Sequence, residues 1–152
     1  MPELEDIYNY LPMSDTLLTS GQPTEEQFKT IAAAGVKAII NLAPSTSPNA
    51  LQNEPEIARG LGMQHFHIPV LWNEPSEEVL TRFMDTMDRL QGEKVLVHCA
   101  ANMRVSTFLA LYRILRLGWE ERKAFREVYR LWNPFEETQW KKFIEAVLPN
   151  KK

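Results

Sequence analysis

The stretch Val95-Leu96-Val97-His98-Cys99-Ala100-Ala101-Asn102-Met103-Arg104-Val105-Ser106 constrains the fold more than any other part of the chain. An apolar, β-rich run ends at His98-Cys99, a loop of small residues follows, and Arg104 opens a long apolar segment that continues through Leu117. A strand apolar at every position is covered on both faces, as in a parallel sheet flanked by helices. A helix apolar on nearly every side is central rather than amphipathic. Ligands in such sheets bind beyond the carboxyl ends of the strands, and Cys99 stands at one. A thiol there faces the N–H groups of a helix start and the positive end of its dipole. Both favour a thiolate and a bound anion.

The rest of the chain alternates in the same way. Leu17-Leu18-Thr19 reads as a short edge strand before a turn at Gly21. Thr24 with Gln27 three positions on forms a capping box for a helix that ends at Gly35. Val36–Leu42 is a strand, Pro44–Asn53 a loop, Glu56–Leu61 a short helix and Gln64–Val70 a further strand. Ser76 caps a helix whose Val79, Leu80, Phe83, Met84, Met87 and Leu90 keep helical spacing, and Lys94–His98 is the next buried strand. Trp119–Leu131 and Phe135–Leu148 read as two amphipathic helices separated by Asn133-Pro134. The order predicts an α/β fold, a mostly parallel sheet of about four to five strands flanked by helices. A length of 152 residues with 44% hydrophobic content fits a single domain spanning 1–152.

The net charge of −3, with both signs interspersed, gives no nucleic-acid surface. No apolar run is long enough to span a bilayer, and the acidic start Met1-Pro2-Glu3-Leu4-Glu5-Asp6 lacks a signal core, so no membrane association and a cytoplasmic location are expected. One cysteine excludes an internal disulfide framework, and it leaves a thiol redox sensor without a resolving partner. His65 and His67 share one face of a strand and carry no nearby Cys, Asp or Glu in sequence, a weak metal signal that reads as structural or pocket-lining.

His98-Cys99 followed by a loop, an arginine and Ser106 resembles the active-site loop of cysteine-dependent protein tyrosine and dual-specificity phosphatases, His-Cys-x5-Arg-[Ser/Thr]. Thr19-Ser20-Gly21-Gln22-Pro23-Thr24 with Lys37–Leu42, and His67-Ile68-Pro69-Val70, resemble a small bacterial branch of that superfamily. The resemblance covers roughly residues 15–135. It implies a phosphatase-like fold and a phosphomonoester hydrolase working through a phosphocysteine, with no metal and no cofactor. Cys99 is then the nucleophile, Arg104 and the amides of Ala100, Ala101, Asn102, Met103 and Val105 hold phosphoryl oxygens, and Ser106 assists breakdown of the intermediate. His98 orders the loop, Asn41 at a strand end orients it, and Trp72 walls the pocket. The partner would be a phosphorylated protein or a small phosphoester.

The chain departs from the pattern at two places. Only four residues separate Cys99 from Arg104; without a gap, Val105 falls on the arginine position and Asn102 on the mid-loop glycine, whereas with a one-residue deletion Arg104 aligns but Val105 follows it in place of the hydroxyl. One position on a helix is about 100° of rotation, so Arg104 reaches phosphate only if the loop is rebuilt. The loop Leu71-Trp72-Asn73-Glu74-Pro75 contains no aspartate where the superfamily takes its general acid, which leaves Glu74 as the candidate. These departures keep a second reading open: a catalytically degenerate module that binds phosphate or a phosphorylated partner.

Overall fold

Consecutive strand residues point to opposite faces of a sheet, and in the two central strands both sets are buried. The computed structural model describes residues 3–148; Met1 and Pro2, the start of the acidic stretch, lie outside the described residues, as do 149–152. Five strands, β1 (Leu11–Pro12), β2 (Leu17–Ser20), β3 (Ala38–Asn41), β4 (Gln64–His67) and β5 (Val95–His98), form one sheet in the order β1-β2-β5-β3-β4. β1 runs antiparallel to β2, and all other pairings are parallel. The mostly parallel α/β sheet expected from the sequence is therefore present.

Two cores result. Ala38 and Ile40 of β3 and Val95 and Val97 of β5 pack with Leu80, Phe83, Phe108 and Trp140, from α3 (Glu77–Arg89), α4 (Met103–Leu115) and α6 (Thr138–Val147). Ile39 and Leu96 point the other way, onto Phe28 and Ile31 of α1 (Glu25–Ala33) and Ala58 of α2 (Glu54–Gly60). The capping box at Thr24 and Gln27 starts α1, with Thr24 Oγ1 accepting from Gln27 N and Gln27 Oε1 accepting from Thr24 N. α4 buries every residue from Arg104 to Arg113, which makes it the central helix.

Several boundaries differ from the sequence reading. β2 is internal, because the two-residue β1 covers its outer edge; two residues carry no periodicity, and Pro12 is tolerated on an edge strand. β4 stops at His67 since Pro69 has no N–H to donate, although Ile68 and Val70 still bond to Asn41 O and Leu42 O. Trp119–Leu131 is not one helix: α5 (Glu121–Phe125) gives way to a 3₁₀ turn at Val128–Arg130. Phe135–Leu148 likewise begins as a 3₁₀ turn at Pro134–Glu136 before α6. The apolar stripe records which side chains are buried, and that is the same for α and 3₁₀ turns this short. Among the described residues no helix is long and apolar enough to cross a membrane.

Candidate active site

β5 is the central strand, hydrogen-bonded on both sides to β2 and β3, so its carboxyl end is firmly held. Cys99 follows directly and is 1% exposed. The chain then turns through Ala100 and Ala101 into Asn102, which adopts a left-handed conformation at φ 67° immediately before α4. Asparagine tolerates that region better than other non-glycine residues. Here its side chain also anchors the turn: Asn102 Nδ2 donates to Asn9 O and Thr19 Oγ1, each at 2.9 Å.

The loop carbonyls are held from outside. Ala100 O accepts from Gln22 N at 3.1 Å and Asn49 Nδ2 at 3.3 Å, and Ala101 O accepts from Asn9 Nδ2 at 2.9 Å. Among the described residues the amides of Ala100 to Val105 donate to no protein acceptor. Carbonyls tied to neighbouring segments and amides left without a protein acceptor fit an anion cradle at a helix start. Gly21 makes room for it: a Cβ there would lie 2.7 Å from Ala100 O and 2.7 Å from Tyr8 Cδ2. Gly21→Ala is therefore expected to push the loop outward and to cost about 1–3 kcal/mol. Urea unfolding together with phosphate affinity measures both effects, and an unchanged affinity would show that the loop does not depend on this contact.

A cavity of about 250 Å³ opens at the cradle, lined by Trp72, Cys99, Ala100, Ala101, Met103 and Arg104. Arg104 is 8% exposed; its Nη1 donates to Val70 O at 2.9 Å, and its guanidinium carbon lies 6.0 Å from the Trp72 ring centre. A guanidinium carries five N–H donors, so one bond to Val70 leaves others for a ligand. Val105 is wholly buried in the core beneath α4. The left-handed turn thus falls on Asn102, the aliphatic Val105 side chain enters the core, and Arg104, one residue earlier, lines the cavity beside Cys99. Trp72 is fixed as the opposite wall: its carbonyl accepts from Trp140 Nε1 at 2.9 Å, and its ring packs 5.0 Å from Trp132 and 5.8 Å from Trp140.

Glu74 and Ser106, expected to take part in catalysis, are not brought to the cavity. Glu74 is exposed and absent from the lining, so the lining contains no carboxylate. Ser106 is fully buried, with Oγ donating to Met103 O at 3.1 Å, which turns the hydroxyl back onto its own helix. Serine in a first helical turn satisfies itself this way when nothing else competes for it.

Behind the loop lies a polar centre that the sequence reading missed. Glu54, at the start of α2, is buried with both oxygens engaged. Its Oε2 accepts from His98 Nε2 at 2.7 Å and His65 Nε2 at 2.8 Å, and its Oε1 from Gln22 Nε2 at 3.0 Å and Asn41 Nδ2 at 3.5 Å. Burial alone would raise this carboxyl, but the His98 charge and the hydrogen bonds from His65, His98 and Gln22 outweigh it and hold Glu54 well below the usual carboxylate range. Asn41 also accepts from Ala43 N at 2.9 Å, so it joins the strand end to this centre rather than touching the cavity. His67 takes no part; its Nε2 donates to Ala43 O at 2.6 Å. Among the described residues no group of three or more His, Cys, Asp or Glu is arranged to hold a metal. A glutamate two residues into a polar stretch, Gln52-Asn53-Glu54-Pro55, gives no sign of burial in sequence. Only the strand order, which sets β4 and β5 on either side of β3, brings His65 and His98 to it.

A family model described as "DSP-PTPase phosphatase fused to NAD+ Kinase" matches residues 6–145. A "Beta-lactamase hydrolase-like protein" of Xylella fastidiosa is 31% identical over 106 residues, which is 68% of this chain and 24% of that protein. The chain spans about a quarter of the length of the curated relatives it matches. The crystal structure of a "Putative phosphatase (DUF442)" from Shewanella putrefaciens CN-32 superposes with a TM-score of 0.83 at 34% identity, covering 95% of this chain and 93% of that one. The core catalytic domain of the phosphatase SIW14 from S. cerevisiae shares the fold, with a TM-score of 0.74 at 20% identity over 91% of this chain and 85% of that one.

Proposed function

Because this chain belongs to the DSP-PTPase phosphatase family, within the cysteine phosphatase superfamily, we propose that it hydrolyses phosphomonoesters through a phosphocysteine on Cys99. The observation that carries this reading is one cavity lined by Cys99, Arg104 and a loop whose amides have no protein acceptor. The Cys99 thiolate attacks phosphorus, the P–O bond to the alcohol breaks, and water then cleaves the S–P bond to release phosphate and return the sulfur. Loop amides and Arg104 stabilise charge on the equatorial oxygens. The reaction uses no metal, and the lone thiol suits a reducing compartment such as the cytoplasm. The substrate is a phosphorylated protein or a small phosphoester.

With no carboxylate in the lining, the leaving oxygen takes its proton from solvent. General acid catalysis contributes typically about 10²–10⁴-fold, so esters of poor leaving groups lose roughly that much. Turnover should fall steeply from p-nitrophenyl phosphate to alkyl phosphates; a flat series would reveal an acid in the site. Arg104→Lys removes the forked donor and is expected to lower kcat/KM about 10²-fold while leaving the fold intact. Steady-state kinetics beside a thermal melt measures this, and unchanged kcat/KM would remove Arg104 from the site.

A second reading is favoured by the same lining and by the Arg104–Val70 bond: a module that binds phosphate or a phosphorylated partner without turnover. Phosphate would then protect Cys99 from alkylation although no ester is hydrolysed.

A further inference from the structure

We propose that Trp140, which does not line the cavity, is a positioning residue for the Arg104 guanidinium and acts on it through the Val70–Trp72 segment. The proposal rests on the reading above only in taking Arg104 as an anion ligand. Among the described residues that guanidinium makes one hydrogen bond and one ring contact, and both partners lie on this one segment. Its Nη1 donates to Val70 O at 2.9 Å, and its central carbon lies 6.0 Å from the Trp72 ring centre. A long side chain has many rotamers, and two such partners remove most of them. The aim of the donors left for a phosphoryl group is therefore set by where Val70 and Trp72 stand. Leu71 between them is 54% exposed, so the segment is held at its two ends.

The two ends are fixed differently. Val70 is buried, and its N–H donates to Leu42 O at 2.8 Å, just beyond β3. Trp72 is only partly buried, and among the described residues it makes one hydrogen bond, in which its carbonyl accepts from Trp140 Nε1 at 2.9 Å. Trp140 is wholly buried on α6, with its ring against Phe108 and Phe143. A buried indole has a single N–H to place, and here the Trp72 carbonyl receives it. Trp132 closes the circuit. Its ring packs 5.0 Å from Trp72, and its Nε1 donates to Thr107 Oγ1 at 3.2 Å, on the same helix as Arg104. Trp140 therefore reaches the anion site only through Trp72.

Trp140→Phe keeps a ring in the cluster and removes the N–H. One hydrogen bond of this kind corresponds to roughly a 3- to 10-fold change in an equilibrium. Calorimetric titration with inorganic phosphate is therefore expected to show an affinity weaker by that factor in Trp140→Phe, and KM for p-nitrophenyl phosphate should rise in step. Phe83→Leu thins the same core where its ring meets Phe108 and Tyr112, and it controls for lost packing. Its phosphate affinity should stay within about twofold of the native value. Unchanged phosphate affinity in Trp140→Phe beside a lower melting temperature would make Trp140 a packing residue and overturn the proposal. So would an equal loss in Phe83→Leu. Deuterium exchange at the Trp140 indole N–H tests the tether in the native protein, with no variant to fold. Protection is expected, and exchange as fast as that of an exposed indole would overturn the proposal. Phosphate affinity and exchange are read without turnover. A protein that binds phosphate, weakens as expected in Trp140→Phe and hydrolyses no ester would sink the phosphatase reading and leave this one standing, whereas a native protein that binds no phosphate would overturn both.

Discussion

Cys99→Ser is expected to abolish turnover of p-nitrophenyl phosphate, by more than about 10³-fold, while phosphate binding is kept. A serine hydroxyl is almost entirely protonated at neutral pH and is a far weaker nucleophile than a thiolate. In the proposed mechanism the anion is held by loop amides and Arg104, and neither changes in this variant. Serine is close to cysteine in size, so the tethers from Asn9, Gln22 and Asn102 that shape the loop should hold. Steady-state kinetics beside calorimetric titration with inorganic phosphate checks both halves. Substantial turnover in the variant would place the nucleophile elsewhere. Loss of phosphate binding together with turnover would show that the sulfur is part of the cradle itself.

Glu54→Ala should be among the most damaging single substitutions in the chain. It removes the acceptor shared by His65, His98, Gln22 and Asn41, and it leaves four buried donors without that partner. Removing one side of a buried charged network typically costs about 3–5 kcal/mol. Urea denaturation measures it, and a loss below about 1 kcal/mol would mean that water replaces the carboxylate. The milder Glu54→Gln isolates the charge through pH. Glu54 is held below its ordinary value of 4.5 in the folded protein, so its contribution is complete above about pH 4.5 and is lost as pH falls. The stability advantage of the native protein over Glu54→Gln should therefore shrink by about 1.4 kcal/mol per pH unit below that point. A gap that stays constant down to pH 3 would contradict an ionised Glu54.

The sheet and the loop that follows Cys99 are legible in the sequence for one reason: both are written in contiguous stretches. The apolar runs of β3 and β5, the capping box at Thr24 and Gln27, and the strand–loop–helix unit around Cys99 are local patterns. The placing of Arg104 is not local, because which helix face lines the cavity depends on which loop residue goes left-handed. Asn102 takes that role only with the support of Asn9 and Thr19, more than 80 residues away in the chain. Glu74 is the one carboxylate in its loop, yet the loop is set by Trp72 packing on Trp132 and Trp140, and Glu74 stands in solvent. Glu54 was invisible for the opposite reason. Its partners come from β2–α1, β3, β4 and β5, so nothing near it in sequence marks it as buried. Local chemistry predicted the elements, and long-range polar contacts decided which side chains meet.

The sulfur itself offers the most direct test. Rapid acid quenching during turnover of p-nitrophenyl phosphate, followed by mass spectrometry of the peptide containing Cys99, should find a phosphoryl group on Cys99 that is missing from the Cys99→Ser variant. Steady hydrolysis with that peptide never phosphorylated, or with the label on another residue, would contradict a covalent mechanism at this loop.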